Sequence, residues 1–117
     1  NEVILPDTPL SEVEKMLENV DADVVLCGHT HIPCGFQTES RKTVVNAGSI
    51  GRTFFVEPNS YPKACYLIIE VDNGSCVFQH QFVEYDKEQA SEKLAAREFE
   101  GADKLAGMLI NPEIRHF

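Results

Sequence analysis

Asn73-Gly74, set between two long apolar runs, constrains this chain more than any other pair of residues. Asn-Gly is the strongest short signal for a two-residue hairpin loop, because both residues tolerate the positive φ that a type I′ turn demands. Residues 64–72 and 75–85 therefore read as antiparallel strands paired about it. The pairing sets Val71 against Cys76, Ile69 against Phe78, Leu67 against His80 and Cys65 against Phe82. One face is then almost wholly apolar, and a slip of one residue would turn that whole set to the other side. The reverse face, with Tyr66, Glu70, Gln79 and Gln81, is mixed.

Upstream, the period changes from two to that of a helix. Leu10, Val13, Leu17 and Val20 recur at three- and four-residue steps, while Glu12, Glu14 and Glu18 fall mostly on the solvated side. Thr8 reads as the helix N-cap with Pro9 at the first helical position. Val24-Val25-Leu26-Cys27 is a short continuous apolar run, which predicts a strand covered on both faces. Residues 32–36 and 43–46 read as two more strands, joined by a polar turn at 38–42. Asn46-Ala47-Gly48-Ser49-Ile50-Gly51 follows, and its glycines let the backbone approach a neighbour closely. Residues 57–62 form an irregular surface loop by their prolines. After the hairpin, 86–99 is helical in composition, with Asp86 as N-cap and Ala90, Leu94 and Ala95 on one side. Gly101 breaks that helix. Residues 102–110 make another, with Leu105, Met108 and Leu109 inward, stopped by Asn111-Pro112. Helices alternating with strands in this order make the fold class α/β.

A length of 117 residues suits one domain with a modest core. Nineteen acidic residues against 10 basic ones give a formal charge of -9, which argues against a nucleic-acid backbone as partner. It leaves room for a small phosphorylated substrate held by metal cations. No apolar run is long enough for a membrane span, and the first residues do not resemble a signal peptide. Without an initiator Met, the chain reads as beginning inside a longer protein. Cys27, Cys34, Cys65 and Cys76 show no framework spacing, and three of them lie in apolar runs. A reducing, cytoplasmic setting follows.

Chemistry concentrates at Gly28-His29-Thr30-His31, where the first apolar strand gives way to a loop. In an extended segment residues i and i+2 point the same way, so His29 and His31 are expected side by side. Gly28 removes a Cβ that would block a sharp turn. Imidazole is the commonest metal ligand among side chains, which makes a metal site the first expectation. Cys27 and Cys34 around the histidines permit a second one, a mononuclear zinc site, at odd offsets for it. Thr30, Asn46 and Gly48 are expected to shape the loop, Arg52 to touch a substrate phosphate or make a surface salt bridge, and His80 to be a satisfied core histidine.

This Gly-His-Thr-His, after a hydrophobic strand and followed by Asn46-Ala47-Gly48-Ser49-Ile50-Gly51, resembles the C-terminal half of the calcineurin-like metallophosphoesterases, closest to their small bacterial and archaeal phosphodiesterase branch. Ala47 departs from that pattern, where relatives usually carry Pro. The resemblance implies a four-layer α/β/β/α sandwich, of which residues 1–117 are the C-terminal portion. It implies a dinuclear centre of Mn, Fe, Zn or Ni, with His29 on one ion and His31 on the other, and a metal-bridging hydroxide that hydrolyses a phosphodiester or phosphomonoester. The family's remaining ligands, an Asp-x-His, a Gly-Asp, a Gly-Asn-His-Asp/Glu and a further His, do not occur here. The expectation is a chain inactive alone, joined to a separate N-terminal piece or self-associated through uncovered apolar sheet. The alternative is a non-catalytic binding or scaffold module of the same fold.

Overall fold

Residues 2–53 and 63–112 are described by a computed structural model, so the loop expected at 57–62 lies outside the described residues. Leu10–Leu17 forms α1. Val24–Cys27 (β1), Cys34–Gln37 (β2) and Thr43–Asn46 (β3) form one sheet in the order β1-β3-β2. β1 runs parallel to β3 and β2 antiparallel to it, so Cys27, Asn46 and Cys34 stand at one level across the sheet. Ala64–Asp72 (β4) and Ser75–Val83 (β5) form a second, two-stranded sheet. Lys87–Ala95 (α2) and Ala102–Ile110 (α3) complete the chain as a pair of helices packed on each other. The class is mixed α/β. No described helix is long and apolar enough to cross a membrane.

The core lies between α1 and the three-stranded sheet. Val13, Leu17 and Val44 are buried together, with Ile4, Val20, Val25, Cys27 and Phe36 packed around them. Val25 and Cys27 face α1 because side chains alternate along β1. Leu26 faces the other way and is 57% exposed, so β1 is not covered on both faces. Its continuous apolar run reflects one face under α1 and another that the described residues leave open.

Two hydrogen-bonding side chains fasten α1 to the turn between β2 and β3. The Glu14 carboxylate accepts from the backbone N–H groups of Glu39 (3.0 Å) and Ser40 (3.2 Å). Lys42 donates through Nζ to the carbonyl of Leu17 (2.7 Å), the last residue of α1, and to that of Val20 (2.6 Å), three residues beyond it, placing a cation at the helix C-terminus. Glu14 is therefore a tether and not part of a purely solvated acidic face. Thr8 does not cap α1. The helix begins at Leu10 with Pro9 at the N-cap and no side-chain cap. The Thr8 hydroxyl instead accepts from Leu5 N–H at 2.8 Å, closing the turn upstream.

The hairpin has the register read from the sequence, with Val71 opposite Cys76, Ile69 opposite Phe78, Leu67 opposite His80 and Cys65 opposite Phe82. Asn73 (φ 47°) and Gly74 (φ 78°) both take positive φ, as a type I′ turn requires. Cys65 is buried, whereas Val71 at the tip is 70% exposed.

Asp86 caps α2, its carboxylate accepting from Gln89 N–H at 2.9 Å. That helix ends at Ala95, short of Phe99. Gly101, at φ 88°, supplies the left-handed residue before α3. The buried residues of α3 are Ala102 and Ala106, while Leu105 is exposed. Small side chains bring the two helices close enough for the Ser91 hydroxyl to donate to the Ala106 carbonyl at 2.9 Å.

Candidate metal-binding turn

The turn at residues 28–31 is built on backbone strain. His29 has φ 71° and His31 has φ 63°, both in the left-handed region. Histidine enters that region more readily than most residues, yet the conformation is uncommon and must be held from outside. The alternation argument of an extended strand therefore does not apply here. The turn works differently: Thr30, between the histidines, is 1% exposed, while His29 is exposed and His31 half-buried. Thr30 is the anchor, and the two imidazole residues flank it.

Asn46, the last residue of β3, is what the turn is anchored to. It is 0% exposed, and every polar atom of its side chain is engaged. Its Nδ2 donates to the Gly28 carbonyl and to the Thr30 hydroxyl, each at 3.0 Å. Its Oδ1 accepts from Gly48 N–H at 2.9 Å. The Gly28 carbonyl also accepts Thr30 N–H at 2.9 Å, and the Thr30 hydroxyl accepts Ile32 N–H at 3.3 Å. One buried amide thus joins the histidine turn to the loop after β3.

Of the glycines, Gly28 is not required by space: a Cβ there would meet nothing within 4 Å, and what the turn uses is its carbonyl. Gly48 is required twice over. It has φ 79°, and a Cβ would lie 3.0 Å from both the Cβ and the Sγ of Cys65. The close approach is to the hairpin.

Arg52 enters through its main chain. Its carbonyl lies 2.9 Å from His31 Nδ1, and its N–H donates to the Ser49 hydroxyl at 3.0 Å. A carbonyl only accepts, so His31 Nδ1 carries the proton and the lone pair of the neutral ring is on Nε2. That tautomer suits a ligand imidazole, whose other nitrogen ordinarily donates to a carbonyl or carboxylate. Two imidazoles nevertheless supply two donors, whereas a transition-metal ion takes about four. Among the described residues no group of three or more His, Cys, Asp or Glu gathers to hold an ion. The donor set fits a share of a metal centre and not a whole one.

The mononuclear zinc arrangement is not formed, since Cys27, His29, His31 and Cys34 do not come together as such a group. Burial pushes the Cys27 and Cys65 thiols above their usual range, and Cys34 is raised first by burial and then by Cys27 beside it. Such thiols stay protonated near neutrality and are poor ligands and nucleophiles.

Sequence reasoning did not find three of these links: the tether from Glu14, the Arg52 carbonyl on His31, and a bond from His80 Nε2 to the Asn46 carbonyl at 2.7 Å. All three use a backbone group at one end, which every residue carries, so no residue type announces the partner.

The family model for the calcineurin-like phosphoesterase superfamily domain matches residues 5–74. That span covers more than half of the chain and contains α1, the three-stranded sheet, the 28–31 turn and the 46–51 loop. No curated protein matches the chain.

Proposed function

The chain belongs to the calcineurin-like phosphoesterase superfamily, and on that premise we propose that it supplies the histidine turn of a metal-dependent phosphoester hydrolase, within a four-layer α/β/β/α sandwich completed by further polypeptide. The observation that carries the reading is the turn itself. Two strained histidines flank a buried threonine, clamped by Asn46, inside the matched span.

In this reading His29 and His31 each hold one of two divalent transition-metal ions (Mn, Fe, Zn or Ni), and the other ligands come from outside these residues. Such ions, when bound, neutralise charge on the phosphoryl oxygens and bring a water's pKa toward neutrality. The chain's own part is to aim the donors. Asn46 fixes the turn, and the Arg52 carbonyl keeps the His31 proton on Nδ1 so that Nε2 is the donor atom. Arg52, at the end of the same loop, would offer its guanidinium to a substrate phosphate in a two-pronged contact.

A second reading, a binding or scaffold module of the same fold, is favoured by exposed apolar side chains on both sheets: Leu26, Val71, Val77 and Phe82. Uncovered apolar sheet of this kind promotes association. The same surface supports a partner in either reading, whether further polypeptide of the domain or a second copy. The four unlinked cysteines suit a reducing compartment such as the cytoplasm.

The deciding assay is hydrolysis of bis-p-nitrophenyl phosphate with added Mn²⁺ by the full-length protein, its His29→Ala and His31→Ala variants, and the 117-residue chain alone. The proposal expects activity in the full-length protein, background rates in both variants and none in the isolated chain. Equal rates for wild type and variants would remove the hydrolase reading.

A further inference from the structure

His80 belongs to the second sheet, yet its ring nitrogen reaches the three-stranded one. It sits on β5 opposite Leu67, half-buried and 6.4 Å from the Phe82 ring. Its Nε2 lies 2.7 Å from the carbonyl oxygen of Asn46. Because that oxygen only accepts, Nε2 is the donor. Asn46 is also the residue whose amide clamps the histidine turn. Holding its carbonyl fixes its ψ, and with it the Cα–Cβ direction that aims the amide at Gly28 and Thr30.

The hairpin also grips this loop at its other end. Cys65 N–H donates to the Ser49 carbonyl at 2.8 Å, and Gly48 packs directly on the Cys65 side chain. Ser49 passes the constraint on through its hydroxyl to Arg52 N–H, and the Arg52 carbonyl contacts His31. Residues 46–49 are thus pinned by the hairpin behind them and bonded to the histidine turn in front.

We infer that His80 is a positioning residue for the His29–His31 turn, acting through the main-chain carbonyl and the side-chain amide of Asn46. This rests on the reading of that turn as a cation-binding element. The role requires a donor at the place of Nε2, not an imidazole as such. Gln carries its amide nitrogen at a similar reach, Asn falls short of it, and Leu fills the space without a donor.

The experiment is amide hydrogen exchange by NMR on the metal-free full-length protein, comparing His80→Leu, His80→Asn and His80→Gln with wild type. Thr30 and Gly48 N–H groups report the clamp, and Val44 and Val45 report the stability of the sheet. In the Leu and Asn variants the Thr30 and Gly48 amides are expected to exchange about fivefold to tenfold faster relative to Val44 and Val45, the loss of one hydrogen bond. His80→Gln restores the wild-type pattern. Should His80→Leu fail to fold, the Asn and Gln pair carries the comparison. Unchanged relative protection in the Leu and Asn variants, or a Gln variant no better than Asn, overturns the inference. Line broadening of the His29 and His31 ring signals by added Co²⁺ is measured alongside in wild type. Its absence counts against the hydrolase reading while leaving the exchange result to judge the role of His80.

Discussion

Replacing Asn46 by Ala removes three hydrogen bonds at one stroke: to the Gly28 carbonyl, the Thr30 hydroxyl and the Gly48 N–H. At a position 0% exposed, water does not readily take the place of the lost amide. Each bond contributes about 1 kcal/mol net, and a buried group left without a partner costs more than that. The expected loss is therefore about 3–4 kcal/mol, a large share of a domain stability of about 5–15 kcal/mol. Urea unfolding followed by far-UV circular dichroism measures it, since the chain has no Trp for fluorescence. Asn46→Asp separates the clamp from mere volume. It keeps the acceptor for Gly48 N–H but turns a second oxygen toward the Gly28 carbonyl. Buried there, the introduced carboxyl has its pKa raised above the unfolded value, so its protonated form is the one the fold favours. Stability relative to wild type is then recovered as pH falls through that raised pKa and lost as pH rises through it. A loss below about 1 kcal/mol for Asn46→Ala, or an Asn46→Asp deficit that stays constant from neutral to acidic pH, would refute the clamp.

Gly48→Ala should destabilise by about 2–3 kcal/mol, combining a left-handed Cβ with overpacking against Cys65, while Gly28→Ala stays within about 1 kcal/mol, both read by thermal or urea unfolding. His29→Gly should be more stable than His29→Ala by about 1 kcal/mol in the same unfolding assay, since both lack the imidazole and only the glycine takes the positive φ without strain. The hydrogen bond from the Ser40 side chain, helped by the backbone N–H groups of Ser40 and Glu39, holds the Glu14 carboxyl below its usual range. That stabilisation is present above the unfolded carboxylate pKa and lost as pH falls through the lower folded value. Urea midpoints against pH should accordingly show a shallower acid decline in Glu14→Gln than in wild type. With a disulfide reagent near neutral pH, exposed Cys76 should react ahead of buried Cys65 and the raised-pKa Cys27 and Cys34, and Cys76→Ser should abolish the fast phase.

Elements with a strong local signal were legible from the residues. Asn73-Gly74 set the hairpin register, Asp86 marked a helix start, and the apolar stripe on 10–20 marked the helix over the sheet. The candidate site could be placed at Gly-His-Thr-His, but its geometry could not. Period-two alternation suggested an extended segment, whereas tertiary hydrogen bonds from Asn46, 16 residues away from Thr30, hold both histidines in the left-handed region. Burial was misread at β1 and α3 for a related reason. An apolar side chain at Leu26 or Leu105 states a preference for cover, and only the folded chain shows whether cover is there.

The double tether on the β2–β3 turn has a consequence for how this molecule is cut. Residues 38–42 are polar and sit at a sheet tip, the kind of place a protease would be expected to nick first. Yet Glu14 grips the turn's amides and Lys42 reaches back to the end of α1, so freeing the scissile backbone means first releasing these four hydrogen bonds. Cleavage there becomes a gauge of how often both side chains let go of the turn, and loss of either one should speed the nick.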